Sequence, residues 1–120
     1  MNDANIPDFV IYFNRNKQYL RVYFWDVHPA TFKSWGAGRW AYFLATWENP
    51  KAGLFGELHF VKNRVREDVV VHKLDHARIE WMYANRFTIT RQNEEKMAIF
   101  LDELVGKFYR QYRRLIDKEV

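Results

Sequence analysis

The sequence predicts an α+β fold: a small antiparallel sheet of about four strands, followed by two packed C-terminal helices. Three observations carry this. Between residues 9 and 61 the apolar side chains come in short aromatic and β-branched runs, cut by turn-forming residues. After Arg66 they recur every three or four positions, which is the helical period. The length of 120 residues suits one domain spanning 1–120, with a core of its own.

The first two strands are FVIYF, residues 9–13, and QYLRVYFW, residues 18–25. Asn14-Arg15-Asn16-Lys17 between them is a hairpin signal. In the second run Leu20, Val22 and Phe24 share one face and Tyr19, Arg21, Tyr23 and Trp25 the other, so the first set is the purer core face. His28-Pro29 and residues 34–38, SWGAG, read as loop, because glycine supplies the backbone angles that loops use. WAYFLATW, residues 40–47, is a third strand, residues 48–53 a turn, and LFGELHFV, residues 54–61, a fourth strand.

In the first helix Val70, Leu74, Ala77 and Trp81 form one stripe. Val69, His72, His76, Ile79 and Tyr83 form a second, roughly opposite. Two apolar sides predict a helix held between two layers. Glu67 and Asp68 suit its first turn by complementing the dipole, and Asn85 suits its end. The last helix, about residues 92–118, carries a stripe that includes Met97, Leu101, Leu104, Phe108 and Leu115.

Composition excludes several function classes. Hydrophobic residues make up 48% and charged residues 28%, a globular balance. Aromatics reach 18%; most of these rings fill a small core, and those that reach the surface favour partner contacts. With no cysteine, disulfides and thiolate metal sites are out, and a reducing compartment is the expectation. No apolar run approaches the ~20 residues of a membrane span, and the N-terminus does not read as a signal peptide; a cytoplasmic protein is expected. The net charge of +4 is mild for a nucleic-acid binder, and Arg110, Arg113, Arg114 and Lys118 also complement the end of their own helix. An aromatic, basic sheet face built on Tyr19, Arg21, Tyr23 and Trp25 keeps nucleic acid as an alternative partner, not the favoured one. Phosphate-cradling glycine loops and nucleophile elbows are missing, and Ser34 is the only serine.

His72 and His76 stand four apart, so a helix stacks them and lets both imidazoles reach one tetrahedral ion. A third ligand is needed. Glu80 shares the face, but His72 to Glu80 spans about 12 Å of straight helix at ~1.5 Å per residue. Glu94 is the better candidate, because projection of the last helix puts it beside Met97, Leu101 and Leu104. The competing reading makes Glu94 a first-turn acid and the histidines hydrogen-bonded residues of a helix seam. His59, in line with Phe55, Glu57 and Val61, would border the same cleft.

GELHFVKNRVREDVVVHKLDHARIEWM followed by NEEKMAIFLDELVGKFY resembles a minimal zincin-type metallopeptidase, nearest in layout to ImmA/IrrE-like domains, over residues 54–110. The resemblance implies a zincin-like fold and a zinc ion held by His72, His76 and Glu94. It also departs from the family. Lys73 stands where the motif His-Glu-x-x-His carries the glutamate that accepts a proton from zinc-bound water. A lysine with an ordinary pKa of about 10.4 is already protonated and cannot do so. The expected function is therefore that of a catalytically degenerate module that binds a protein partner, with His59, Lys73, Glu80 and Tyr83 as candidate contact residues. Domains of this kind often belong to phages and mobile elements, which implies a regulator or inhibitor directed at a host or defence complex. A working zinc peptidase is the alternative.

Overall fold

The structure is a computed structural model and describes residues 6–26, 41–46 and 53–119. Strands β1 (Phe9–Phe13), β2 (Gln18–Trp25), β3 (Ala41–Ala45) and β4 (Leu54–Val61) form one sheet, followed by helices α1 (Glu67–Ala84) and α2 (Glu94–Glu119). This is the α+β arrangement expected. His28, residues 34–38 and residues 48–52 of the expected turn lie outside the described residues.

The strand order is β1-β2-β4-β3. β1 pairs antiparallel with β2, and β3 antiparallel with β4, but the central pair β2–β4 is parallel. The sheet is therefore mixed, where a wholly antiparallel one was expected. β3 lies outside β4 rather than between it and β2, so the chain crosses over before its fourth strand.

The hairpin turn takes positive φ at three successive residues, Asn14 (52°), Arg15 (56°) and Asn16 (63°). Asparagine tolerates this region; arginine does so at a cost. Where β2 pairs with β4, a register shift sets Leu20 opposite Gly56. A Cβ on Gly56 would stand 2.7 Å from the Phe43 ring and 2.8 Å from the Leu44 carbonyl oxygen, so β3 packs against this position only because glycine occupies it.

One sheet face carries the core. Ile11, Leu20, Val22, Phe24, Leu58 and Phe60 meet Val70, Leu74 and Ala77 of α1 and Leu104 and Phe108 of α2. The register shift also turns Phe55 to this side, edge-on to Phe13 at 5.7 Å. α1 lies toward β3 and α2 toward β1. Arg78 joins the two helices: its guanidinium donates to the Met97 carbonyl at 3.2 Å and lies 2.7 Å from Asp75.

α1 ends where Asn85 was expected to end it. The Asn85 side chain donates to the Trp81 carbonyl at 2.8 Å, and Phe87 and Arg86 return hydrogen bonds to Met82 and Tyr83. Arg86 takes the left-handed position of this cap, at φ 51°. Among the described residues no helix is long and apolar enough to cross a membrane.

Candidate functional site

α1 buries one of its two sequence stripes. Val70, Leu74 and Ala77 are at most 2% exposed. The second stripe faces the other way: His72 is exposed, His76 and Ile79 are half-buried, and Tyr83 is 69% exposed. Val69, at the start of this stripe, packs against the core cluster, and the stripe opens to solvent toward Tyr83.

The histidine rings stand together, centroids 4.5 Å apart and tilted by 53°. Their spacing on one face of α1 makes this contact, as expected. The expected third ligand does not join them. Glu94 opens α2 and is exposed, although Met97 one turn later is buried, so it does not extend the buried stripe. The start of α2 lies beside Arg78, which binds the Met97 carbonyl. At about 100° per residue Arg78 projects about 120° or more around α1 from both histidines. Among the described residues no group of three histidine, cysteine, aspartate or glutamate side chains gathers to hold an ion. A catalytic zinc takes three protein ligands. Among the described residues the histidine pair supplies two such donors.

Lys73, at the position of the motif's glutamate, is buried at 8% exposure. It projects about 100° from His72, toward the flank of the helix rather than outward with the pair. Glu80 is half-buried on the same flank.

His59 belongs elsewhere. Its partner across the parallel ladder is Tyr23, and neither joins the helix-packed core cluster. The sheet therefore separates His59 from His72 and His76, and the shared cleft expected of them does not form. The reason is the parallel register, which aligns the β2 residues Arg21, Tyr23 and Trp25 with Glu57, His59 and Val61.

That alignment builds a polar network on the far face. The Trp25 indole donates to His59 Nδ1 at 3.1 Å, and His59 Nε2 lies 3.2 Å from Glu57 Oε1. An indole N–H can only donate, so Nδ1 accepts and the ring proton sits on Nε2, directed at the carboxylate. Glu57 Oε2 lies 3.9 Å from Arg21. The Tyr23 ring stacks on His59 with centroids 4.7 Å apart at 8°. Its hydroxyl is sealed from solvent beside Arg21 and Glu57, within reach of both charges. Burial first, then the Glu57 charge, raises its pKa above the ordinary tyrosine value. With both imidazole nitrogens engaged, His59 orders this face; it is not placed to move a proton to a substrate. Strand alternation marked each of these residues, but only the pairing of β2 with β4 brings them together.

Comparison with protein-family models, with curated proteins and with solved structures finds no match.

Proposed function

We propose that this protein is a non-hydrolytic, zincin-like module that acts by binding another protein. The observation that carries this is the outward stripe of α1, where His72 and Tyr83 are exposed beside the half-buried Ile79. Aromatic side chains with a polar tip, set on a rigid helix, are the residue types that anchor protein interfaces. The ammonium side chain that Lys73 puts in place of a carboxylate, and the separation of Glu94 from the histidines, support the loss of hydrolysis. The zincin-like label and a phage-type regulator or inhibitor rest on the sequence resemblance, and a cytoplasmic setting on the cysteine-free composition.

A second reading keeps some support from the ring contact of His72 and His76, which suits metal binding. Metal content of protein purified without a histidine tag separates the two. The binding module is expected to hold far less than one zinc per chain. Stoichiometric zinc, lost on His76→Ala, would establish a retained centre and restore the peptidase. Tyr83→Asp is the complementary variant: partner capture should drop at least about tenfold while the thermal transition stays in place. Capture unchanged by Tyr83→Asp would remove α1 as the binding face.

A further inference from the structure

The strand order leaves β1 at an edge of the sheet, and among the described residues no strand pairs with its outer side. α2 runs beside that edge in the opposite direction: Phe9 meets Phe108 at 5.4 Å and Phe13 meets Phe100 at 5.8 Å. Two adjoining depressions, of about 180 and 280 Å³, lie between strand and helix. Lys107 lines both, and its Nζ donates to the Tyr12 backbone carbonyl at 2.7 Å. The edge of β1 thus already lends a main-chain oxygen to a cation from α2.

The first depression follows Val10, Ile11 and Tyr12 and is bordered by Arg110. The second lies at the hairpin end, with Phe13, Trp81 and Phe100 lining it and Arg15 beside them. Projected along α2, Lys107, Arg110 and Arg114 fall within about 60° of one another, so the helix presents a basic side to the groove. Arg15 and Arg110 are exposed, and the ion pairs among the described residues go to other groups. Glu103, at the hairpin end, is the one carboxylate among the described lining residues.

We propose that the β1–α2 groove binds an extended acidic peptide segment of a partner protein. The peptide lies along β1 as an added strand, its main chain meeting the open edge. Its carboxylates meet Lys107, Arg110 and Arg15, and one apolar side chain enters the depression lined by Phe13, Trp81 and Phe100. A second copy of this chain is a poor occupant, because symmetric pairing through β1 would set these cations against each other in a chain of net charge +4. A nucleic-acid strand answers the charge but offers no ladder of main-chain groups to the edge. This groove is distinct from the outward face of α1, and neither proposal depends on the other.

The test uses the full chain and three fluorescent probes: a peptide of alternating glutamate and valine ending in phenylalanine, its glutamine counterpart, and a short oligothymidine. The acidic peptide is expected to bind with an affinity that falls as salt rises, and the glutamine peptide to bind at least about tenfold more weakly. Arg110→Glu should cost at least about tenfold. Amide resonances of Val10 and Tyr12 should shift on titration and exchange more slowly with solvent. No binding of the acidic peptide at millimolar concentration overturns the proposal. So does equal binding of the glutamine peptide, or binding indifferent to Arg110→Glu in a variant whose circular dichroism shows it folded. Preference for the oligothymidine, lost in Arg110→Glu, would assign the groove to nucleic acid instead.

Discussion

At the scale of single residues, the far face of the sheet is where side-chain chemistry departs most from ordinary packing. Tyr23 is fully buried there, its hydroxyl beside the charges of Arg21 and Glu57. Its raised pKa means that folding favours the neutral form, first through burial and then through Glu57. Tyr109 is raised likewise, by burial and then by Glu67. Their contribution to stability is therefore fully present below the unfolded tyrosine value of about 10, and is lost as pH rises through the higher folded values. Tyr23→Phe should stay within about 1 kcal/mol of the native protein at neutral pH. Above about pH 10 the variant should lose stability less steeply than the native chain. Denaturant titrations at both pH values check this, and an unchanged alkaline slope would dissociate Tyr23 from it. The polar residues of this network were each visible in the alternation of β2 and β4. Their meeting was not, because it depends on which strand lies next to which.

At the scale of elements, local signals proved strong where they were chemical and weak where they were only periodic. The hairpin residues, the acidic first turn of α1 and the Asn85 cap all appear where side-chain chemistry puts them. The second stripe of α1 is divided, Val69 packing against the core and Tyr83 standing exposed, since periodicity records that a face is apolar without recording what it meets. The cap of α1 also holds a correctable cost: Arg86 occupies a left-handed position that suits glycine. Arg86→Gly should relieve about 1 kcal/mol of backbone strain and give back part of it through the freer unfolded chain. A net gain of about 0.5 kcal/mol is expected, read as a higher thermal midpoint. A loss instead would mean that the Arg86 side chain contributes more than its backbone costs.

At the scale of the whole molecule, the two helices share one core and are also tied by a polar clasp, Asp75–Arg78–Met97. Asp75 holds the guanidinium from α1, and the Met97 carbonyl receives it near the start of α2. Arg78→Ala should cost about 2 kcal/mol, the order of a charged hydrogen bond lost from a mostly buried site. Hydrogen exchange should quicken in the first turns of α2 ahead of its centre, where Leu104 and Phe108 hold. Uniform acceleration along α2 would show that the clasp holds no part of it separately. The sequence by itself determined the α+β class, the bounds of β1, β2 and β4, the order of strands before helices, and the contact of His72 with His76. Each of these comes from short-range chemistry: β-branched and aromatic runs, turn residues, helical period, and the one-turn spacing of a histidine pair. Only the tertiary structure decided that β2 and β4 run parallel, that His59 lies across the sheet from the other histidines, that Glu94 stays apart from them, and that α2 lines the edge of β1 with cations. These are matters of which surfaces meet. That choice is made by the packing of the whole apolar core, to which every element contributes and which none records alone.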